Sequence, residues 1–503
     1  MNGTEGNERS CETFAPGRAA TFWGLVAETA REHPGRRVLE DDHGRSLTSR
    51  ELSAAALSVA SALAARGVGP GSVVSWQLPT TLDAMVLMVA LARLGAVQNP
   101  IIPVLRESEL RFITSQLGTQ LLIVPETWRG FAHGELAREL GAEIGFDVLI
   151  DVPAGAGQLP PEPAQDTHCR WIYYTSGTTA DPKGARHTDR SVIAGSAGVV
   201  GMVGASSDDC NPLAFPISHI GGAAMLAASL RTGMRLALFE GFDPVTSPSA
   251  IAAHHPTFLG SATPFFMAFI EAQEAAGDKR LFPHLRACLA GGAPITPELG
   301  KRVRKVLGIS GVANAWGLTE FPVATSPRPD AAPEILDHTV GPPVPGVEVR
   351  EIGGELRLKG PQCFLGYVDA TLDAAAFDDE GWFRTGDLGT IDPAGTVRIT
   401  GRLKDAIIRN AENISALEVE SVLVKHPAVA DVAVIGVPDD RAGERVCAFV
   451  VATGPVTLGD LVAHCASAGL SRYKHPERLV VVDALPRNPT GKVLKKDLRE
   501  LVT

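Results

Sequence analysis

The chain has 503 residues, of which 45% are hydrophobic and 20% charged, with a formal net charge of −11 at pH 7. That length supports several layers around large cores, about three domains by length alone, and the composition is globular rather than disordered. The acidic balance argues against a nucleic-acid-binding surface. It is also uneven, with −12 on the first 400 residues and +1 from Gly401 onward.

Residues 1–18 carry charges, glycines and a proline but no apolar core, and read as a flexible tail rather than a signal peptide. The longest apolar runs, such as Ala84 to Ala92, fall well short of the ~20 residues that span a bilayer, so no transmembrane segment is expected. Seven scattered cysteines, odd in number and never in C-x-x-C spacing, suit a reduced cytoplasm.

Taken in order, apolar residues recur at helical spacing from Thr21 to His33, and a short strand follows over Arg37 to Glu40. Ser46 to Ser49 caps a second helix, Glu51 to Arg66, with Leu52, Ala56, Val59 and Leu63 on one face. A strand (Val73 to Leu78), a buried helix (Leu82 to Leu94) and another strand (Val97 to Ile102) make a βαβ unit. The alternation returns at Leu110 to Val124 and from Arg170 to Val200, so the fold class is α/β with layered sheets and helices. After Gly354 short strands appear, Glu355 to Lys359 and Thr396 to Thr400. Beyond Leu403 helices at Leu417 to Lys425 and Leu458 to Ala468 alternate with strands at Val432 to Val437, Arg445 to Thr453 and Arg478 to Val482. That is a compact α+β unit of about 100 residues, large enough to fold as a domain. The boundary is placed near Arg402 to Asp405.

One stretch organises the rest, Trp171 to Thr188. Four residues suited to a buried strand, Trp171 to Tyr174, break into a loop of small hydroxyls. Thr175, Ser176, Thr178 and Thr179, the backbone at Gly177 and Gly184 and the ammonium of Lys183 suit a polyphosphate cradle. A Walker loop needs G-x-x-x-x-G-K-[ST]; counted from Gly177, its second glycine falls on Pro182 and its final hydroxyl on Gly184, so two fixed positions fail.

The segment instead resembles, residue for residue, the phosphate loop of the adenylate-forming superfamily, with Ala180 where relatives usually have glycine. Four further segments follow in order. Asn314-Ala315-Trp316-Gly317-Leu318-Thr319-Glu320 resembles the second nucleotide motif, with tryptophan in place of the usual tyrosine. The resemblance implies that Trp316 stacks on adenine, that Thr319 bonds the α-phosphate and that Glu320 holds Mg²⁺. Gly291-Gly292-Ala293-Pro294 is similar to the segment that runs along adenine and acyl chain. Asp387, in GWFRTGD, and Arg402 match the pair that binds the ribose, for which a carboxylate and a guanidinium are apt partners. Lys492, in PTGK, matches the catalytic lysine, a mobile point charge that neutralises carboxylate and α-phosphate together.

The resemblance implies a large N-terminal nucleotide- and acyl-binding domain over residues 19–402, with a distorted β-barrel-like part, and a small mobile α+β lid over 403–503. His219 matches the aromatic gate beside the substrate carboxylate. Pro216 and Ile217 stand where amino-acid-activating relatives carry an aspartate, which implies a non-amino acid. Ile217, His219, Ile220, Gly221, Ala223, Ala224, Met225 and Gly292 would line an apolar pocket for an aliphatic or alicyclic acyl group. Lys404 would be the hinge of the lid, and Asn410 and Ala411 would line the coenzyme A tunnel, where thioester-forming relatives usually have two glycines. The implied substrates are a small carboxylic acid, ATP and coenzyme A, with Mg²⁺, in a monomer or homodimer. A stand-alone ligase that loads a carrier protein remains the alternative. A luciferase-like oxygenase would carry a second lysine at Ile408. An inactive nucleotide-binding regulator would not keep Thr319, Glu320, Asp387, Arg402 and Lys492 together.

Overall fold

The computed structural model describes residues 19, 21–164, 168–175, 182–292, 295–409, 412–439, 441–488 and 491–502. Expectations for the tail 1–18, for Ser176 to Ala180, for Ala293 and Pro294, for Asn410 and Ala411, and for Pro489 and Thr490 therefore lie outside the described residues.

Five sheets carry the chain. The first is six-stranded, in the order Asp147–Ile150, Leu121–Val124, Val73–Trp76, Val97–Pro100, Trp171–Thr175, Lys183–His187. Its first five strands run parallel and only the last is antiparallel. The helix Leu82–Leu94 crosses over between two of these strands. Thr81 caps its first turn by accepting from the Ala84 N–H, Gly95 ends it in the left-handed region (φ 66°), and every residue between except Asp83 is buried. A helix apolar all round belongs inside a layer, and this one packs among Trp76, Trp171, Phe22 and Phe258 in the largest core.

A second sheet orders Ser46–Thr48, Arg37–Asp41, Arg235–Leu238 and Cys210–Leu213. A third orders Phe258–Leu259, Ala287–Gly291, Val312–Leu318 and Phe321–Thr325. A fourth, fully antiparallel, orders Glu348–Ile352, Glu355–Lys359, Phe383–Ile391 and Val397–Arg402. The fifth orders Glu412–Ser415, Ala406–Arg409, Gly443–Ala452 and Val429–Asp439, with Arg478–Val481 paired beside Gly443–Ala452. This last sheet and its two apolar clusters draw only on residues from Ala406 onward. Among the described residues no helix is long and apolar enough to cross a membrane.

One expected alternation is corrected. Arg170 to Val200 does not repeat a βαβ unit: Trp171–Thr175 and Lys183–His187 form an antiparallel hairpin, registered Trp171 to His187 and Thr175 to Lys183, and only then does a helix, Asp189–Gly195, begin. The physical reason is the short spacing, because a parallel return needs a crossover of a dozen or more residues, whereas a loop of this length turns the chain straight back. Gly184 is a ladder residue opposite Tyr174, and a Cβ there would meet Val368 Cγ2 at 2.8 Å and the Tyr174 ring at 2.9 Å. Its lack of a side chain therefore serves packing.

The hairpin is pinned to the N-terminal helix Phe22–Glu32 by one buried carboxylate. Asp189 Oδ2 accepts from the Phe22 N–H at 2.8 Å and Oδ1 from the Trp171 indole at 2.7 Å. Asp189→Ala leaves both donors buried without that acceptor and should lower stability by about 2–4 kcal/mol. The measurement is urea unfolding of the full chain followed by tryptophan fluorescence; an unchanged midpoint would contradict it.

Candidate active site

Three sheets and the C-terminal unit converge on one place. The hairpin of the first sheet presents Thr175 and Lys183 at the end next to its connecting loop, opposite one another in register. In the third sheet, Gly291 pairs with Ala315, so the glycine segment runs beside Asn314 to Gly317. Thr319 and Glu320 then form the turn between Val312–Leu318 and Phe321–Thr325, and no helix follows them. In the fourth sheet, Asp387 and Arg402 are direct cross-strand partners.

The turn at Thr319–Glu320 is held from two sides. The buried imidazole of His187 donates through Nε2 to the Thr319 carbonyl at 2.8 Å, while its Nδ1 meets the Ser191 hydroxyl at 3.0 Å. Burial holds His187 down to about 4, so it is neutral at physiological pH and serves as a fixed donor. The Phe364 N–H donates to the Glu320 carbonyl at 2.9 Å, and the Tyr367 hydroxyl donates to Glu320 Oε1 at 2.7 Å. Burial, then the Glu320 charge, pushes the Tyr367 phenol well above its usual range, which keeps it a donor. The Lys183 ammonium lies 5.4 Å from the Tyr367 ring centroid.

The two residues expected to bind the ribose are already paired. Arg402 Nε donates to Asp387 Oδ1 at 2.5 Å, and the Trp316 indole N–H donates to Asp387 Oδ2 at 2.8 Å. His219 is the N-cap of the helix Ile220–Thr232, its Nδ1 accepting from the Gly221 N–H at 3.1 Å. Burial lowers its pKa to about 4, so the neutral ring carries its proton on Nε2. His219, Ile220 and Thr319 line one small cavity with Ile101, Ile102 and Tyr173. Of the other residues expected in the acyl pocket, Ile217, Ala223 and Met225 belong to the large core, and Ala224 faces the helix Asp189–Gly195, its Cβ 3.6 Å from where a Cβ at Gly195 would stand.

Lys492 reaches this site from the C-terminal unit. It sits at the end of a tight turn in which its own N–H donates to Asn488 Oδ1 and Asn488 N–H to its carbonyl, both at 2.8 Å. Arg487 braces the turn, donating to the Gly491 carbonyl and to Asp431, each at 2.6 Å. Gly491 packs on the start of the helix Thr263–Ala275, and a Cβ there would stand 3.3 Å from Ala262 Cβ. Desolvation of the ammonium, then Arg402 and Lys404, holds Lys492 down to about 8, against the pull of Asp387 and Asp405. The residue as a whole is exposed, so solvent screens part of this effect. Lys404 is lowered by burial and then by Arg402 and Lys183.

Three residues escaped the sequence reading. His187 lies within the quoted phosphate stretch, but nothing local marks it as the support of Thr319, 132 positions away. Tyr367 carries no motif of its own in that reading. Val323, three residues after Glu320, adopts φ 52° where the register of the two strands slips, a costly conformation for a β-branched residue. Its Cγ1 lies 2.2 Å from where a Cβ at Gly198 would stand, so glycine alone fits there.

The hairpin pair Thr175 and Lys183, the Asp387–Arg402 pair and Lys492 stand together as expected for a nucleotide-dependent carboxylate-activating enzyme, and the comparisons with known proteins agree on that class. Residues 26–368 match the AMP-binding enzyme family and residues 418–492 the AMP-binding enzyme C-terminal domain. The chain is 30% identical to the medium-chain fatty-acid–CoA ligase of Escherichia coli (strain K12), over 99% of this chain and 96% of that one. It is 34% identical to the 3-[(3aS,4S,7aS)-7a-methyl-1,5-dioxo-octahydro-1H-inden-4-yl]propanoyl:CoA ligase of Mycobacterium tuberculosis, over 91% and 94%. The crystal structure of ATP-bound MatB from Rhodopseudomonas palustris superposes with a TM-score of 0.86 at 28% identity, covering 95% of this chain and 98% of that one. The chain belongs to the AMP-binding enzyme family, and its class is that of an adenylate-forming acid–thiol ligase.

The Lys492 charge yields a prediction with a definite sign. An ammonium whose pKa is lowered is charged below that value and neutral above it, so kcat/KM for ATP should fall as pH rises through about 8. Saturating ATP brings negative charge to the cleft and should move that limb upward in kcat. The Lys492→Arg variant should lose the limb together with most of its rate, whereas a limb that persists in Lys492→Arg would assign it elsewhere.

Proposed function

We propose that the protein is an AMP-forming acyl-CoA synthetase for a non-amino carboxylic acid with an aliphatic or alicyclic body. The observation that carries this reading is the meeting of Lys492 with Arg402, Lys404, Asp387 and Asp405, which brings the C-terminal lysine to the nucleotide site.

In the first half-reaction a carboxylate oxygen attacks the α-phosphorus of ATP and pyrophosphate leaves. The carboxylate is a weak nucleophile approaching an anionic centre, so positioning and charge neutralisation supply most of the rate. Thr175, Lys183 and the loop residues Ser176 to Thr179 hold the β- and γ-phosphates, Thr319 the α-phosphate, Asp387 and Arg402 the ribose, and Trp316 the adenine beside Gly291 to Ala293. Lys492 neutralises both reactants. Glu320 suits Mg²⁺, since one oxygen is fixed by Tyr367 and this ion is commonly held by one or two carboxylates plus substrate phosphates. When bound, it would offset charge on the departing pyrophosphate.

In the second half-reaction the CoA thiol attacks the acyl carbonyl and AMP leaves. Residues 403–503 act as the lid on 19–402, turning about Lys404 so that Lys492 departs and the segment at Asn410 and Ala411 enters. His219, neutral and fixed by its cap, gates the route to the acyl carbon. An acid without an amino group is favoured because Pro216 and Ile217 offer no carboxylate to an α-ammonium, and burying one unpaired is costly. The relatives named for a medium-chain fatty acid and for a bicyclic propanoate point the same way. The absence of a bilayer-spanning helix among the described residues accords with work in the cytoplasm.

Pyrophosphate release across a panel of acids, with and without CoA, with products weighed by mass spectrometry, tests the reading. Alkyl and alicyclic acids should outcompete free amino acids, each methylene that fits adding about 0.8 kcal/mol or less. Absence of release with every acid on the panel would return the chain to a regulatory role. Lys492→Ala should lose acid-dependent pyrophosphate release by orders of magnitude yet still convert a supplied acyl-adenylate to thioester; equal loss of both would remove its assigned part. Ala411→Leu should block thioester formation and spare adenylation, whereas Ala411→Gly should keep or raise it; a carrier-protein ligase would instead show no CoA dependence in either variant.

A further inference from the structure

Asp387 is 2% exposed and Trp316 7%, so their hydrogen bond is made out of water. The carboxylate is engaged once on each oxygen, Oδ1 by Arg402 Nε and Oδ2 by Trp316 Nε1. A third bond, from the Asp387 N–H to Thr385 Oγ1 at 3.0 Å, fixes its backbone. Each carboxylate oxygen accepts two donors, so one acceptor position stays open on each, side by side. That remainder matches a pair of vicinal hydroxyls. With only the arginine bond, the carboxylate would turn about its terminal torsion, a broad and soft rotation, and the two open positions would no longer be held as a pair.

We propose that Trp316 is a positioning residue for ribose recognition: its indole N–H holds Asp387 in the orientation that accepts both hydroxyls of a ribonucleotide. The role is separate from any contact of the indole face with the base, because it resides in one edge atom. Tyrosine, the residue usual at this position in the superfamily that the sequence resembles, cannot supply it. A phenol places its hydroxyl on the ring axis and beyond the ring, whereas Nε1 lies to the side. The proposal rests on Asp387 being the ribose carboxylate, and the test separates failure of that reading from failure of this one.

The readout is a ratio, the affinity of the full-length protein for ATP over that for 2′-deoxy-ATP, each measured by calorimetric titration with Mg²⁺ present. Trp316→Phe keeps an aromatic face, so any loss of stacking falls on both nucleotides and cancels. Hydrogen bonds to a charged group are worth about 1.5–3 kcal/mol, so the wild-type ratio should be about tenfold or more, and Trp316→Phe should bring it close to one. Asp387→Ala should do the same, and adding Trp316→Phe to Asp387→Ala should change the ratio no further. If Asp387→Ala leaves the wild-type ratio intact, the ribose assignment itself is wrong. If Asp387→Ala abolishes the preference and Trp316→Phe preserves it, this proposal alone is overturned. Should Trp316→Phe fail to fold, Trp316→Tyr serves with the same readout and the same expected loss, and a retained ratio there overturns it equally.

Discussion

The site is built around like charges that must sit close together. Lys183, Arg402, Lys404 and Lys492 act on one another across a single cleft, and the depressed ammoniums of Lys404 and Lys492 express that mutual repulsion together with desolvation. Asp387, Asp405 and Glu320 oppose them, and Asp387 is already committed to Arg402 and Trp316. A polyphosphate is the natural complement, because it brings several negative charges to a partly desolvated place where each Coulomb term is larger than in water. In the proposed route the same repulsion has a second use. Once pyrophosphate has gone the cations lose their partner, and the one carried by a separate unit, Lys492, is the one free to leave.

Fixed hydrogen bonds make up the other half of the design. His187 and His219 are neutral through burial, and Tyr367 is held protonated, so their hydrogen bonds to the Thr319 carbonyl, at the Gly221 N–H and to Glu320 do not change with ordinary variation in pH. The groups that orient phosphate and acid are thus insulated from titration, while the group that supplies charge at the reacting centre titrates near the working range. Preorganised dipoles that need no rearrangement during reaction are the effective kind.

Much of this was legible from the chain alone, and the limits were physical. Periodicity and caps found Leu82–Leu94 and Glu355–Lys359 to the residue, because a buried helix ended by Thr81 and Gly95 and an alternating strand leave local marks. The motifs located Thr319, Glu320, Asp387, Arg402 and Lys492, since each belongs to a short segment with its own chemistry. Contacts between distant segments leave no such mark. The Trp316–Asp387 bond spans 71 positions and the His187–Thr319 bond 132, and neither partner's neighbours announce the other. The left-handed backbone at Val323 was equally silent, being imposed by a slipped register and not by a residue suited to it.

The C-terminal unit that the proposed route sets in motion is tied together as one piece. Arg487 ties the Lys492 turn to Asp431 on the strand Val429–Asp439, and Lys495, three residues on, reaches Glu420 at 2.7 Å on the helix Ala416–Leu423. Glu420 is half-buried, and desolvation raises its pKa against the pull of Lys495, so the pair holds only while both partners stay in place. Glu420 Oε1 also accepts from the Val434 N–H, which joins helix, sheet and tail in one network. Lys492 therefore does not search the cleft as a free side chain on a loose tail. Its position is set by the placement of the whole five-stranded sheet, so in the proposed route a rotation at residues 403–405 would carry its charge in or out without disturbing the turn that presents it.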